Sequence, residues 1–103
     1  MILRQGQIWN VESHLTGHSG RVVIVDSDLM ARSRQRIAAA PVRPSREVPD
    51  ALQLLTAALP NGDTVAVYDL VLTPKNTLTS HVGDLSPEAL EQVRVALRAR
   101  FEL

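Results

Sequence analysis

The sequence predicts a mostly β, small α+β fold, in which a β-rich body carries a single C-terminal helix. Three observations carry this reading. Short β-branched runs are separated by Gly, Pro and Asn turn signals. One of those signals, Pro60-Asn61-Gly62-Asp63, stands between two apolar runs, as the turn of a hairpin does. Ser86-Pro87-Glu88 then opens an amphipathic stretch with the marks of a helix start.

Taken in order, Gln7-Ile8-Trp9-Asn10-Val11 alternates polar and apolar side chains and reads as a half-buried strand. Ser13 to Gly20, rich in Gly, Ser and His, reads as a loop. Arg21-Val22-Val23-Ile24-Val25-Asp26 is β-branched with charged ends, the form of a central strand covered on both faces. Asp26-Ser27-Asp28 caps a brief helical turn over Leu29-Met30-Ala31. Arg36 to Val42 contains alanines, which favour helix, but the run before Pro41 is short and is assigned a strand. Arg43-Pro44-Ser45-Arg46-Glu47-Val48-Pro49 is a loop by its prolines. Leu52-Gln53-Leu54-Leu55 and Val65-Ala66-Val67-Tyr68 are the arms of the hairpin. Val71-Leu72-Thr73 extends or follows the second arm, and Leu78 to Val82 adds an edge strand. In the last helix Leu85 and Leu90 take the N′ and N4 positions of a hydrophobic staple. Leu90, Val93, Ala96 and Leu97 form its apolar stripe, with Glu91, Arg94 and Arg98 outside it.

A chain of 103 residues fits one domain, 1–103, whose apolar surplus is small enough that a shared dimer core would help it. No run reaches the roughly 18 apolar residues of a membrane span. Met1 to Gly6 lacks the basic segment and apolar run of a secretory signal. There is no cysteine, hence no disulfide framework and no thiolate metal site. The expectation is a cytoplasmic protein with no membrane partner and no cofactor. Net charge is zero, yet residues 1–46 carry seven arginines against three acids, while residues 47–103 carry four cations against eight acids. Arginine grips phosphate bidentately, so the first half suits a phosphate backbone.

Thr16-Gly17-His18-Ser19-Gly20-Arg21 runs from a loop into the buried strand and places an imidazole and a guanidinium near its mouth. Metal-free RNA cleavage needs a base for the 2′-OH proton, an acid for the leaving 5′-oxygen and a cation for the phosphorane. Histidine serves either proton role near neutrality. The bland alternative is a solvated loop histidine and a strand-edge arginine. Arg43-Pro44-Ser45-Arg46 is a rigid turn whose guanidiniums suit an RNA backbone, or an ordinary exposed loop. Lys75 is a further RNA-binding candidate. Asp69 closes a strand, where a carboxylate orients a histidine or arginine, or merely caps a turn. His14 and His81 read as surface residues, and no His, Asp and Glu spacing suits a metal.

The order of these pieces resembles the MazF/PemK (Kid) family of toxin endoribonucleases over essentially the whole chain. Arg4-Gln5-Gly6-Gln7-Ile8-Trp9-Asn10-Val11 resembles that family's first strand, and Thr16-Gly17-His18 the Gly-His of its first loop. Gly20-Arg21-Val22-Val23-Ile24-Val25, Asp26-Ser27-Asp28-Leu29, Ala40-Pro41-Val42 and Gly83-Asp84-Leu85-Ser86-Pro87-Glu88-Ala89-Leu90 are similar to the segments that follow. The resemblance implies a MazF/CcdB-like β-barrel-type sheet with the C-terminal helix. It implies that Arg21 stabilises the phosphate, that His18 transfers protons or contacts RNA, and that Asp69 is the acidic residue ending the hairpin strand. The sequence departs from the family pattern at Val22 (usually Pro), Arg43 (Thr or Ser), Val67 (Arg) and Leu70 (Gln).

The resemblance implies a type II toxin held by a cognate antitoxin, a homodimer and a metal-independent, sequence-selective endoribonuclease. Its substrate would be single-stranded RNA (mRNA, tRNA or rRNA), since sequence readers need unstacked bases. A CcdB-like gyrase inhibitor shares the fold, but such proteins carry an exposed Trp near the C-terminus, and here the sole Trp is Trp9. A catalytically impaired homologue that binds RNA or antitoxin is the remaining reading, kept open by the altered positions.

Overall fold

The computed structural model describes residues 2–12 and 19–102. The expected loop with His14 and His18 therefore lies outside the described residues. Strands β1 (Gln7–Glu12) and β2 (Ser19–Ile24) run antiparallel, with Ile8 opposite Val23. A short helix, α1 (Asp28–Ser33), follows, capped by the Ser27 hydroxyl, which accepts from the Met30 N–H at 3.3 Å. Next come β3 (Arg36–Pro44), β4 (Thr56–Ala58), β5 (Asp63–Ala66), β6 (Val71–Pro74) and β7 (Leu78–Asp84). Helix α2 (Pro87–Phe101) ends the order, with Ser86 as its N-cap and Pro87 at its first turn. The strands form one antiparallel sheet in the order β4-β5-β3-β2-β1-β7, with β6 also paired to β3. No described helix is long and apolar enough to cross a membrane.

The period-two alternation of β2 divides the core into two halves. Val22 and Ile24 pack with Leu3, Trp9, Ile37, Ala39 and Leu78 on one face, closed by Ala31 of α1. Val23 and Val25 pack on the other face with Ala40, Val65 and Val67, closed by Val93 and Ala96 of α2. The expectation of a strand covered on both faces holds. Gly6 joins the N-terminal segment to the helix: its carbonyl accepts from the Leu85 N–H, and its N–H donates to the Ile24 carbonyl. Its φ is +92°, a conformation that favours glycine, and a Cβ there would also meet Leu90 Cδ1 at 3.2 Å, so the leucine side chain would have to give way.

The hairpin forms, with different arms. Leu52–Leu55 is not a strand; residues Asp50–Leu55 form a 3₁₀ helix, and the first arm begins at Thr56. The Thr56 hydroxyl donates to the Gln53 carbonyl at 2.7 Å and the Leu52 N–H to the Pro49 carbonyl, local bonds that compete with a ladder. Leu54 is left 88% exposed while Leu52 and Leu55 are only half-buried, so no leucine of this run is fully buried. Val67 and Tyr68 leave the second arm for a 3₁₀ turn, Val67–Asp69. Arg43 and Pro44, expected in a loop, belong to β3, because β5 reaches them as a partner.

The first strand is tied by one buried amide. Gln7 Oε1 accepts from Trp9 Nε1 at 3.0 Å and from the Arg4 N–H at 3.1 Å, while Gln7 Nε2 donates to the Ile2 carbonyl at 3.2 Å. Gln7→Leu orphans the indole N–H and is expected to cost about 2 kcal/mol. By contrast, the Tyr68 hydroxyl is buried and has no hydrogen-bond partner among the described residues. Tyr68→Phe is expected to raise stability by about 1 kcal/mol. Urea midpoints of the two variants check both, and a lowered midpoint for Tyr68→Phe would refute the second.

Candidate nucleic-acid interface

Beside β3 lies an open groove of about 810 Å³, lined by Arg21, Arg36, Arg43 and Lys75 and floored by apolar atoms of Val11, Val22, Val42, Val71 and Leu72. The sequence builds it locally. Arg21 stands where β2 passes from exposed Gly20 to buried Val22. Arg43 follows Val42, a partner of the helix-side core, near the far end of β3. Pro74 closes β6, and the turn Lys75–Thr77 that follows is fixed by the Lys75 N–H donating to the Gln35 carbonyl at 2.9 Å. Lys75 Nζ donates to the Arg32 carbonyl at 3.2 Å. A volume of this size accommodates a small-molecule-sized segment of a chain, and four cations suit an anionic one.

Two of the cations are held by carboxylates from the acidic half. Arg21 Nη2 donates to Asp63 Oδ2 at 2.7 Å, across β3. Arg43 Nη2 donates to Asp69 Oδ2. The charge asymmetry of the sequence is thus partly folded together: arginines of the first half meet acids of the second within one site. Asp69 sits in the turn between β5 and β6, where its role in the geometry is to hold Arg43.

Arg21, Arg43 and Lys75 therefore come together, and Asp69 reaches the groove through Arg43. Ser45 does not line it: its hydroxyl donates to the Gly62 carbonyl at 2.7 Å and lies 2.6 Å from Thr64 Oγ1, bracing the hairpin turn. Arg46 is exposed on the 3₁₀ turn Ser45–Glu47, away from the groove lining. His18 lies outside the described residues. His81 is exposed, as expected of a surface residue; it stacks on Trp9 with ring centroids 5.3 Å apart, and Nε2 is 2.9 Å from Asp84 Oδ1. The sequence reading missed Arg36, taken only as the start of a strand, and Asp63, taken only as a turn residue. Nothing local marks Asp63, since its partner is 42 positions away. Among the described residues no group of three or more His, Asp or Glu side chains is placed to hold a metal ion.

No family model matches the sequence, and no curated protein does. Solved structures do. An endoribonuclease in complex with its cognate antitoxin, from a mycobacterial species, superposes with a TM-score of 0.81 at 16% identity, covering 98% of this chain and 96% of that one. A second mycobacterial endoribonuclease gives 0.81 at 16% identity, over 100% and 94%. The toxin MazF-mt6 of Mycobacterium tuberculosis gives 0.69 at 16% identity, over 94% and 97%. The chain has the fold of these MazF-type toxins along its whole length.

Both ion pairs are partly exposed, with side-chain exposures of 38% and 24% for Arg21 and Asp63, and 40% and 43% for Arg43 and Asp69. Pairs of this kind contribute at most about 1 kcal/mol. Asp69→Ala should therefore leave the urea midpoint nearly unchanged; a loss well above that figure would make the pair a stability element.

Proposed function

We propose that the protein is the toxin of a type II toxin–antitoxin pair, a metal-independent, sequence-selective endoribonuclease that cuts single-stranded mRNA, tRNA or rRNA in the cytoplasm. The observation that carries this reading is the convergence of Arg21, Arg43 and Lys75 on one groove, in a fold shared with mycobacterial toxin endoribonucleases. In the proposed reaction the 2′-oxygen forms a bond to the adjacent phosphorus and the bond to the 5′-oxygen breaks. A base takes the 2′-OH proton, and an acid gives one to the leaving 5′-oxygen. The products are a 2′,3′-cyclic phosphate and a 5′-hydroxyl. Arg21 stabilises the charge that builds on the phosphorane oxygens. His18, three positions before Arg21, is the proton-transfer candidate, and Asp69 acts through the guanidinium of Arg43. Arg43 and Lys75, with Arg46 and Ser45 beyond the groove, contribute RNA contacts along the backbone.

A single domain spanning 1–103, a homodimer and a cognate antitoxin complete the proposal; one structural neighbour is in complex with its antitoxin. The apolar runs Val22 to Val25 and Val65 to Val67 are consumed by the chain's own core, where they are buried. Large apolar side chains left exposed among the described residues are spread over the surface and include Ile2, Leu29, Leu54 and Phe101. The gyrase-inhibitor reading fits less well, because Trp9 is core rather than an exposed residue of the last helix.

Arg21→Ala is expected to lower the cleavage rate by about 10²–10³, the loss typical of one preorganised donor, while RNA affinity falls much less. Cleavage should persist in EDTA. A folded Arg21→Ala protein with full activity would end the assignment, and full loss in EDTA restored by a divalent ion would end the metal-free mechanism. Sedimentation at micromolar concentration checks the dimer, which a stable monomer would refute.

A further inference from the structure

We infer that Asp63 is a positioning residue for Arg21, one that weakens ground-state RNA binding while raising the rate of the chemical step. The inference deepens the reading of the groove as an RNA-cleaving site and rests on it for the rate.

Arginine carries about 2 kcal/mol of rotamer entropy, so an unheld Arg21 on a half-exposed strand end samples many orientations. Asp63 restricts that freedom by accepting from Nη2 at 2.7 Å. The carboxylate is itself held. Asn61 Nδ2 donates to the same Asp63 Oδ2 at 3.1 Å, and the Asp63 N–H donates to Asn61 Oδ1 at 3.1 Å. Between them Gly62 adopts φ +88°, which lets the turn close, and the Ser45 hydroxyl pins the Gly62 carbonyl from β3's continuation. The Asn61-Gly62-Asp63 turn is thus more than a hairpin connection. It presents a fixed acceptor to a cation that arrives from β2, on the far side of β3. A guanidinium has five N–H donors, so the contact to Asp63 leaves donors for a phosphate.

Two effects follow, and they have opposite signs. The carboxylate neutralises Arg21, so a phosphate entering the groove meets a smaller net positive charge and binds less tightly. The same carboxylate fixes the donor before the reaction starts, and preorganised donors act where charge develops in the transition state. Arg43 and Asp69 lack this second tier among the described residues, since no side chain bonds to Asp69 except Arg43.

Five proteins test this: wild type, Asp63→Asn, Asn61→Ala, Arg21→Ala, and Asp63→Asn made in the Arg21→Ala background. The probe is single-stranded RNA of mixed sequence, with binding, kcat and melting temperature measured on each. For Asp63→Asn the expected result is tighter binding, a salt slope steeper by about 0.7 as one more phosphate is neutralised, and a kcat lower by roughly 10- to 10²-fold. Asn61→Ala keeps the charge and loosens the grip, so kcat falls while the salt slope stays. In the Arg21→Ala background Asp63→Asn should change kcat no further, the signature of one unit. Parallel losses of binding, kcat and melting temperature, or an Asp63→Asn effect that survives without Arg21, would overturn the inference. So would a rise in kcat, which would mean that the carboxylate only repels. If wild type cuts no RNA, the proposed function falls; the binding arm then still decides, because an unchanged affinity and slope in Asp63→Asn removes the role claimed for Asp63.

Discussion

Strand β3 has two edges and three partners, and the remainder of the molecule is arranged around that fact. One edge takes β2 at Ala39 to Pro41. The other takes β6 at Arg36 to Ala39 and β5 at Val42 to Pro44, laid end to end. Between β5 and β6 the chain needs a few residues to change position, and the 3₁₀ turn Val67–Asp69 supplies them. Pro41 lies at that changeover, where a residue without an N–H leaves no β5 or β6 partner short of a donor. The strand must also be thin, because both halves of the core press on it: Ala39 and Ala40 are fully buried, one in each half. Larger side chains there would overpack two layers at once.

The groove is a consequence of the same arrangement. Because β3 is flanked by β2 along one side and by β5 and β6 along the other, side chains from three strands converge beside it. Arg21 comes from β2, Arg36 and Arg43 from β3, and Lys75 from the turn after β6. The break between β5 and β6 also brings Asp69 within reach of Arg43, while the hairpin turn at the start of β5 brings Asp63 to Arg21. Neither pair is buried enough to matter much to stability. Their effect is on geometry and local charge, turning a chain of zero net charge into a groove whose cations are held in place.

Likeness to the mycobacterial toxins at only 16% identity fits this picture. What the fold needs is apolar volume on alternating positions, small residues on the central strand and a capped helix across one face. Many sequences satisfy those conditions, since cores tolerate extensive substitution when volume and pattern are kept. In the groove this chain has its own set: Arg43 pairs with Asp69, and Arg43 stands where the resembled family pattern has Thr or Ser. The locked first strand, with Gln7 bonding the Trp9 indole and His81 of β7 stacked on it, is a structural counterpart toward the β7 end of the sheet.

Local interactions were legible in the sequence. Ser27 and Ser86 cap helices, Asn61-Gly62 turns a hairpin and β2 is buried on both faces, because each depends on neighbours within a few residues or on simple alternation. The errors came where local signals compete. Leu52 to Leu55 is apolar enough for a strand, but Pro49, Gln53 and Thr56 bond it into a 3₁₀ helix, and Arg43-Pro44 looked like a loop until β5 paired with it. By itself the sequence determined the mostly β composition, the last helix, the turn and the candidacy of Arg21, Arg43 and Lys75. Only the tertiary structure decided that these three share a groove, that Arg36 lines it, and that Asp63 and Asp69 hold two of its arginines. Those pairs join residues 42 and 26 positions apart, and their meeting is set by the order of strands in the sheet, which no short stretch of sequence encodes.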